Sequence, residues 1–268
     1  MRNIKIKALQ YQVKFGDFQG NLNKVRAQFE HAKLEETDVV VLPEMWTSGY
    51  DLENIAEHAC HDLEPALSFI AELAQQYDVN IVAGSVANIK EDPDKVYNTA
   101  FVVDREGTLV YEYSKVHLVP MLDEPRYLAA GDSKVETFML DGSRCGMVIC
   151  YDLRFPELFR DLALKGASII FVPAEWPMAR RKHWETLLSA RAIENQCYII
   201  GVNTYGDIGG QIFAGRSLMA DPWGEVISEA KGQAEAVVSG RIDSQEVARI
   251  RQAVPIFESR RRDMYHCL

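Results

Sequence analysis

Asp38-Val-Val-Val-Leu-Pro-Glu-Met-Trp46 and Ser168-Ile-Ile-Phe-Val-Pro-Ala-Glu-Trp176 are two segments of the same length, with proline at the same place and tryptophan at the end. A short apolar run stopped by proline is the pattern of a buried strand. Working outward, the elements around each segment come in a similar order. Ahead of the first, residues 4–12 alternate as a strand, and 21–34 carry Leu22, Val25, Phe29 and Ala32 at helical spacing. After it, 65–77 reads as a helix and 79–85 as a strand, and 99–104 and 109–113 form a hairpin across Arg105-Glu-Gly107. Around the second segment, 146–150 reads as a strand and 156–164 as a helix with proline in its first turn. Residues 183–195 form a helix with Trp184, Leu187, Leu188, Arg191 and Ala192 along one side, and 197–203 form a strand. Residues 217–220 and 225–228 flank the turn Asp221-Pro-Trp-Gly224.

A repeated order predicts two similar sheet-and-helix halves. Each sheet must cover its inner face, and the nearest partner is the other sheet, with helices on the outside. The expected fold is therefore α/β, a four-layer α-β-β-α sandwich with two pseudo-repeated halves. A single doubly wound sheet is the alternative. No linker or low-complexity stretch divides the chain, so 1–268 is read as one domain.

Composition limits the function. The 268 residues are 47% hydrophobic and 25% charged, the profile of a soluble globular protein. The formal net charge of -10 repels phosphate backbones, which argues against nucleic acid as a partner. Arg260, Arg261 and Arg262 are a short exception, read as an ion-pairing or subunit-packing segment. Cys60, Cys145, Cys150, Cys197 and Cys267 make an odd number with no C-x-x-C pair, so neither a disulfide framework nor a zinc site is expected. No signal peptide and no apolar run of membrane-spanning length is visible, and a reducing cytoplasm is the expected location.

Three residues stand beyond strand ends, where functional groups of open α/β sheets collect. Cys150 follows Met147-Val-Ile149 and precedes a helical segment. A helix N-terminus there would favour thiolate, and the Tyr151 N–H could hold an oxyanion. A structural buried cysteine, as expected of Cys145 and Cys197, is the alternative. Glu44 follows a buried strand, and desolvation would tune it as a general base; a solvated loop glutamate is the alternative. Lys115, in Tyr113-Ser-Lys-Val-His-Leu118, either points into a pocket or guards a strand edge. A Cys–His hydrolase using His117 or His183 is a further possibility.

Taken together, Leu-Pro-Glu-Met-Trp (42–46), Lys-Val-His-Leu (115–118) and Cys-Tyr-Asp-Leu-Arg-Phe-Pro-Glu (150–157) resemble the nitrilase superfamily of carbon–nitrogen hydrolases, in that family's order. Ala190-Arg-Ala-Ile-Glu-Asn-Gln196 is also similar to a segment usual there. The resemblance implies Cys150 as nucleophile, Glu44 as base, Lys115 as oxyanion-stabilising cation and Glu124 as a second active-site glutamate. It implies the same four-layer fold, no metal or cofactor, and at least a homodimer, with 254–268 packed at the subunit interface. Cys-Tyr-Asp-Leu-Arg-Phe is most similar to the ω-amidase branch, which hydrolyses α-keto acid ω-amides such as 2-oxoglutaramate. Deaminated glutathione and N-carbamoyl amino acids are alternative substrates, and a non-catalytic binding protein on the same fold is the alternative of another class. A carboxylate-bearing substrate needs a cation at the pocket mouth. Arg154 is one candidate, unless it pairs with Asp152 or Glu157; Arg180, Arg181 and Lys182 are others. Glu175 either lines the pocket or supports Lys115, Trp176 neighbours it, and His117 shares the side of Lys115.

Overall fold

A computed structural model describes residues 3–265. Its first half runs β1 (Ile4–Gln10), α1 (Phe18–His31), β2 (Val39–Val41), β3 (Cys60–His61), α2 (Ala66–Tyr77), β4 (Asn80–Ile89), β5 (Val96–Val103), β6 (Leu109–Ser114) and α3 (Glu124–Tyr127). The second runs β7 (Phe138–Leu140), β8 (Ser143–Met147), α4 (Pro156–Leu164), β9 (Ile169–Ala174), α5 (Arg181–Asn195), β10 (Tyr198–Asn203), the hairpin β11 (Tyr205–Ile208) and β12 (Gln211–Ala214), then β13 (Leu218–Ala220) and β14 (Val226–Glu229). β15 (Ala236–Ile242) and α6 (Ser244–Ala253) follow.

The repeat is visible in the strand orders. One sheet runs β15-β1-β2-β4-β5-β6, with β3 paired to β4; the other runs β7-β8-β9-β10-β13-β14. In each, three parallel strands at the centre are extended by two antiparallel strands on one side and one on the other. Side-chain alternation then sorts the layers. Ile4, Ile6, Ala8, Val39 and Val41 join an apolar cluster with Met147, Phe171 and Ile200 of the other sheet. Leu9, Tyr11, Val40 and Leu42 face the opposite way, packing with Val25 and Phe29 of α1 and Phe69, Ile70 and Leu73 of α2. On the far side Phe159, Leu162, Trp184 and Leu188 of α4 and α5 cover the second sheet. The molecule is the four-layer sandwich, not a doubly wound single sheet.

Several elements differ from the sequence reading. β8 stops at Met147 instead of reaching Cys150, because the Ile149 N–H leaves the ladder for Asp152 Oδ2 at 3.1 Å. β15 and α6 went unread, as did the β11–β12 hairpin. β15 pairs antiparallel with β1, Ile4 opposite Ile242, so its partner is at the other end of the chain and no local pattern announces it. Among the described residues no helix is long and apolar enough to cross a membrane.

The halves are joined at the ends of their central strands. Thr204 Oγ1 donates to Tyr11 O at 2.8 Å, and Ser217 N and Oγ both donate to Gln10 Oε1 at 2.9 Å. Asn203, fully buried at the end of β10, accepts from Trp176 N at 2.7 Å and donates to Gly215 O at 2.8 Å. Asn203→Ala leaves both backbone groups unpaired, which costs about 1–3 kcal/mol. Urea unfolding should show a lower midpoint with an unchanged slope.

Candidate active site

Glu44 is placed by the turn that ends β2. Met45, at φ 47°, gives its N–H to Ser85 Oγ at 3.0 Å, and the Trp46 indole donates to Ala83 O at 2.6 Å. Between those anchors Gly84 lets the two chains touch, since a Cβ there would sit 1.8 Å from Pro43 O. Glu44 is wholly buried, and four donors surround it. Tyr50 OH (2.9 Å), Asn98 Nδ2 (2.8 Å) and Lys115 Nζ (2.9 Å) meet Oε1, and the Glu175 N–H meets Oε2 at 2.7 Å.

Lys115 leaves the end of β6, its N–H on Asn98 O and its carbonyl on Gly131 N, both 2.9 Å. Its ammonium is buried between two carboxylates, 2.9 Å from Glu44 Oε1 and 2.8 Å from Glu124 Oε1, with Tyr50 OH at 3.3 Å. Burial alone would lower the lysine's pKa, but Glu124 and Glu44 outweigh it and hold the group well above its ordinary value. It stays an ammonium. Glu124 opens α3 and is pinned by the Val119 N–H on Oε2 at 2.7 Å. Burial raises its pKa, Lys115 opposes this and Glu44 adds to it. Tyr50 OH, 2.6 Å from Glu124 Oε1, closes the cluster, and its pKa is pushed well up by burial and by the two glutamates.

Cys150 occupies a strained elbow. Its φ of 46° is unusual for a residue with a side chain and costs on the order of 1–3 kcal/mol. Asp152 holds the bend: Oδ2 accepts from Ile149 N and from Tyr113 OH (2.9 Å), and Oδ1 accepts from His117 N (3.2 Å) and faces His117 Nδ1 at 2.8 Å. One carboxylate thus ties the elbow of Cys150 to both sides of Lys115. α4 starts at Pro156 as read, but a five-residue 3₁₀ turn, Cys150–Arg154, separates its N-terminus from the thiol. The cysteine is accordingly a thiol at rest, its pKa raised well above the ordinary value by burial and then by Glu44, with Lys115 pulling the other way. The Tyr151 N–H lies in the first turn, where helical amides have no acceptor of their own. Cys145 and Cys197 are wholly buried, and burial pushes the Cys197 thiol up to about 12.

A small cleft opens onto Cys150, lined by Val119, Met121, Leu122, Tyr151, Arg154, Glu175, Trp176, Pro177 and Arg180. Arg154 does not pair with Asp152 or Glu157. Asp152 is taken by the elbow, and Arg154 lies over the Trp176 ring at 4.7 Å and the Tyr151 ring at 5.6 Å. Among the described residues it has no acidic partner, and its Nε is buried without a hydrogen bond. Arg181 turns instead to Glu185, at 3.7 Å. Trp176 is held by its indole N–H on Arg180 O at 2.9 Å. Glu175 does not hydrogen-bond Lys115 through its side chain, whose two oxygens have no hydrogen-bond partner among the described residues. His117 stacks on Phe155, ring centroids 3.5 Å apart, and His183 Nδ1 faces Arg154 at 3.3 Å. Among the described residues neither histidine is hydrogen-bonded to Cys150, whose Sγ contacts Glu175 O at 3.9 Å.

A family model for carbon–nitrogen hydrolases matches residues 5–252. The chain belongs to the carbon–nitrogen hydrolase family. The hydrolase is 44% identical over 260 residues to a 2-oxoglutaramate amidase of Bacillus subtilis, covering 97% of this chain and 98% of that one. It is 45% identical to a protein named hydrolase in agr operon from Staphylococcus aureus, covering 98% and 100%. The crystal structure of Saccharomyces cerevisiae Nit3, a member of branch 10 of the nitrilase superfamily, superposes with a TM-score of 0.89 at 29% identity, covering 97% of each chain.

Three members of the cluster went unread in the sequence. Asn98 carried a signal: it shares the β5 face of Ala100 and Val102, where a polar residue is out of place. Tyr50, four residues past Trp46, carried none. Asp152 was read only as a partner for Arg154. Since Glu44 adds to burial in raising the thiol's pKa, Glu44→Gln should lower it. Ultraviolet titration of the thiolate, with Cys150→Ala subtracted, should show the variant ionising at lower pH than the parent.

Proposed function

We propose that this hydrolase cleaves a small carboxamide to its carboxylic acid and ammonia through a thioester on Cys150, the substrate being an α-keto acid ω-amide such as 2-oxoglutaramate. The observation that carries the reading is the Lys115 ammonium shared by Glu44 and Glu124, beside a thiol that opens on a cleft. The Bacillus relative's substrate supports the choice of amide. The unpaired Arg154 at the same cleft supports it too, because such a substrate ends in a carboxylate.

The steps follow from the contacts. Glu44 takes the Sγ proton as sulfur attacks the amide carbon, which makes thiolate only when it is needed. The oxyanion forms beside Lys115 and the Tyr151 N–H. Of the three contacts of Nζ, the one to Tyr50 is the longest and the first an oxyanion would displace. Glu44 returns the proton to the leaving nitrogen and ammonia departs. A water then loses its proton to Glu44 and attacks the thioester; sulfur leaves and is reprotonated. Glu124 keeps Lys115 in place. Arg154 takes the far carboxylate, with Arg180 beside it on the cleft wall, and the Trp176 ring supports the guanidinium. No step calls on a metal or cofactor.

In the same reading residues 1–268 form one cytoplasmic enzyme domain that works as a homodimer, with neither nucleic acid nor membrane as a partner. The tail from Val254 contributes to the interface. Phe257 lies on Arg160 and Arg251, at 5.2 and 5.1 Å, which anchors the start of that tail to the body. His266, Cys267 and Leu268 lie outside the described residues.

Ammonia release should be greatest with 2-oxoglutaramate in a panel that includes glutamine, deaminated glutathione and N-carbamoyl amino acids. Cys150→Ala should abolish it with the fold retained, and Lys115→Ala should cost on the order of a hundredfold or more in kcat. Full activity in Cys150→Ala would end the proposal. Arg154→Leu should lower kcat/KM roughly tenfold to a hundredfold for the carboxylate-bearing amide, the scale of a charge-assisted bond. A neutral amide of similar length should lose far less; equal losses would remove Arg154 from carboxylate recognition.

A further inference from the structure

The centre holds a third glutamate that the steps above leave idle. Glu175 follows β9, is wholly buried, and uses its peptide group at both ends: N–H to Glu44 Oε2 at 2.7 Å, carbonyl to Cys150 Sγ at 3.9 Å. Its carboxyl oxygens have no hydrogen-bond partner among the described residues. We propose that Glu175 is a positioning residue that works as an uncharged carboxylic acid, fixing the peptide that spans base and nucleophile without adding a second negative charge beside Glu44. The inference rests on the roles proposed for Glu44 and Cys150.

The argument is one of partners. Lys115 is the buried cation that acts on it, and its three N–H directions already go to Glu44, Glu124 and Tyr50. Arg154 lies over Trp176 and faces His183. An ionised Glu175 would be a buried charge without a counter-ion, at a cost of several kcal/mol. A retained proton removes that cost. The groups that act on it agree: burial and Glu44 push its pKa well up, and Lys115 opposes them without prevailing. The third neighbour is Tyr11, whose hydroxyl is also buried and unpartnered and whose own pKa is raised by burial and by Glu175. A neutral acid offers one donor and one acceptor, the complement of a hydroxyl. With Glu175 neutral, moving a proton from Cys150 to Glu44 meets no added repulsion at the new thiolate.

Infrared difference spectroscopy at neutral pH, parent minus Glu175→Gln, tests this directly. The expected result is a protonated-acid carbonyl band in the parent that is missing from the variant. Its absence from the parent would overturn the proposal. In kinetics, Glu175→Ala should lose about tenfold or more in kcat with KM little changed, the effect of a displaced reacting group. Glu175→Gln, neutral and of the same shape, should recover most of that loss. A folded Glu175→Gln as impaired as Glu175→Ala would also overturn it. If the alanine variant does not fold, the infrared band still decides. Turnover surviving in Cys150→Ala would instead remove the catalytic reading and leave the infrared result standing.

Discussion

The ammonium of Lys115, sealed between the carboxylates of Glu44 and Glu124, is the constraint around which the rest of the site is arranged. Taking three charges out of water is expensive, and mutual attraction offsets the cost only when geometry is good and the remaining valences are filled. Here they are filled. Tyr50 reaches both glutamates, Asn98 and the Glu175 N–H complete Glu44, and the Val119 N–H completes Glu124. The arrangement is therefore rigid before any substrate arrives, which is what stabilising a developing negative charge demands.

That rigidity is assembled from both halves. Glu44, Asn98, Lys115 and Glu124 come from the first half, Cys150 and Glu175 from the second, and the cleft wall from both, with Val119, Met121 and Leu122 facing Tyr151, Arg154 and Trp176. The bond from Glu175 N to Glu44 crosses between the sheets, and Asp152 crosses back to Tyr113 and His117. Neither half alone brings the thiol to the base.

What was legible follows the range of the interactions. The strands around Val40 and Phe171 and the helices carrying Phe29 and Trp184 are written in periodicity, because each buries one face against a neighbouring layer. Glu44, Lys115 and Cys150 were legible because each stands just past a strand. β15 was not, since its register with β1 spans almost the whole chain. The thiolate expectation at Cys150 failed for a local reason: Asp152 captures the Ile149 N–H and winds a tight turn between the thiol and the N-terminus of α4. The pairing expected of Arg154 failed for the same cause, because the elbow had already used Asp152.

The repeated segments explain why two glutamates after two similar strands have different jobs. Aligned by proline and tryptophan, Glu44 corresponds to Ala174, and Glu175 to Met45. The one-residue offset matters because Met45 turns at φ 47° and projects Glu44 into the lysine's reach, whereas the chain at Glu175 presents its amide to that same carboxylate. At residue 175 the backbone N–H gives Glu44 a donor and the carbonyl gives Cys150 an acceptor, while the side chain is wholly buried. Two copies of one strand-end design thus yield a buried carboxyl group on one sheet and the peptide that holds it on the other.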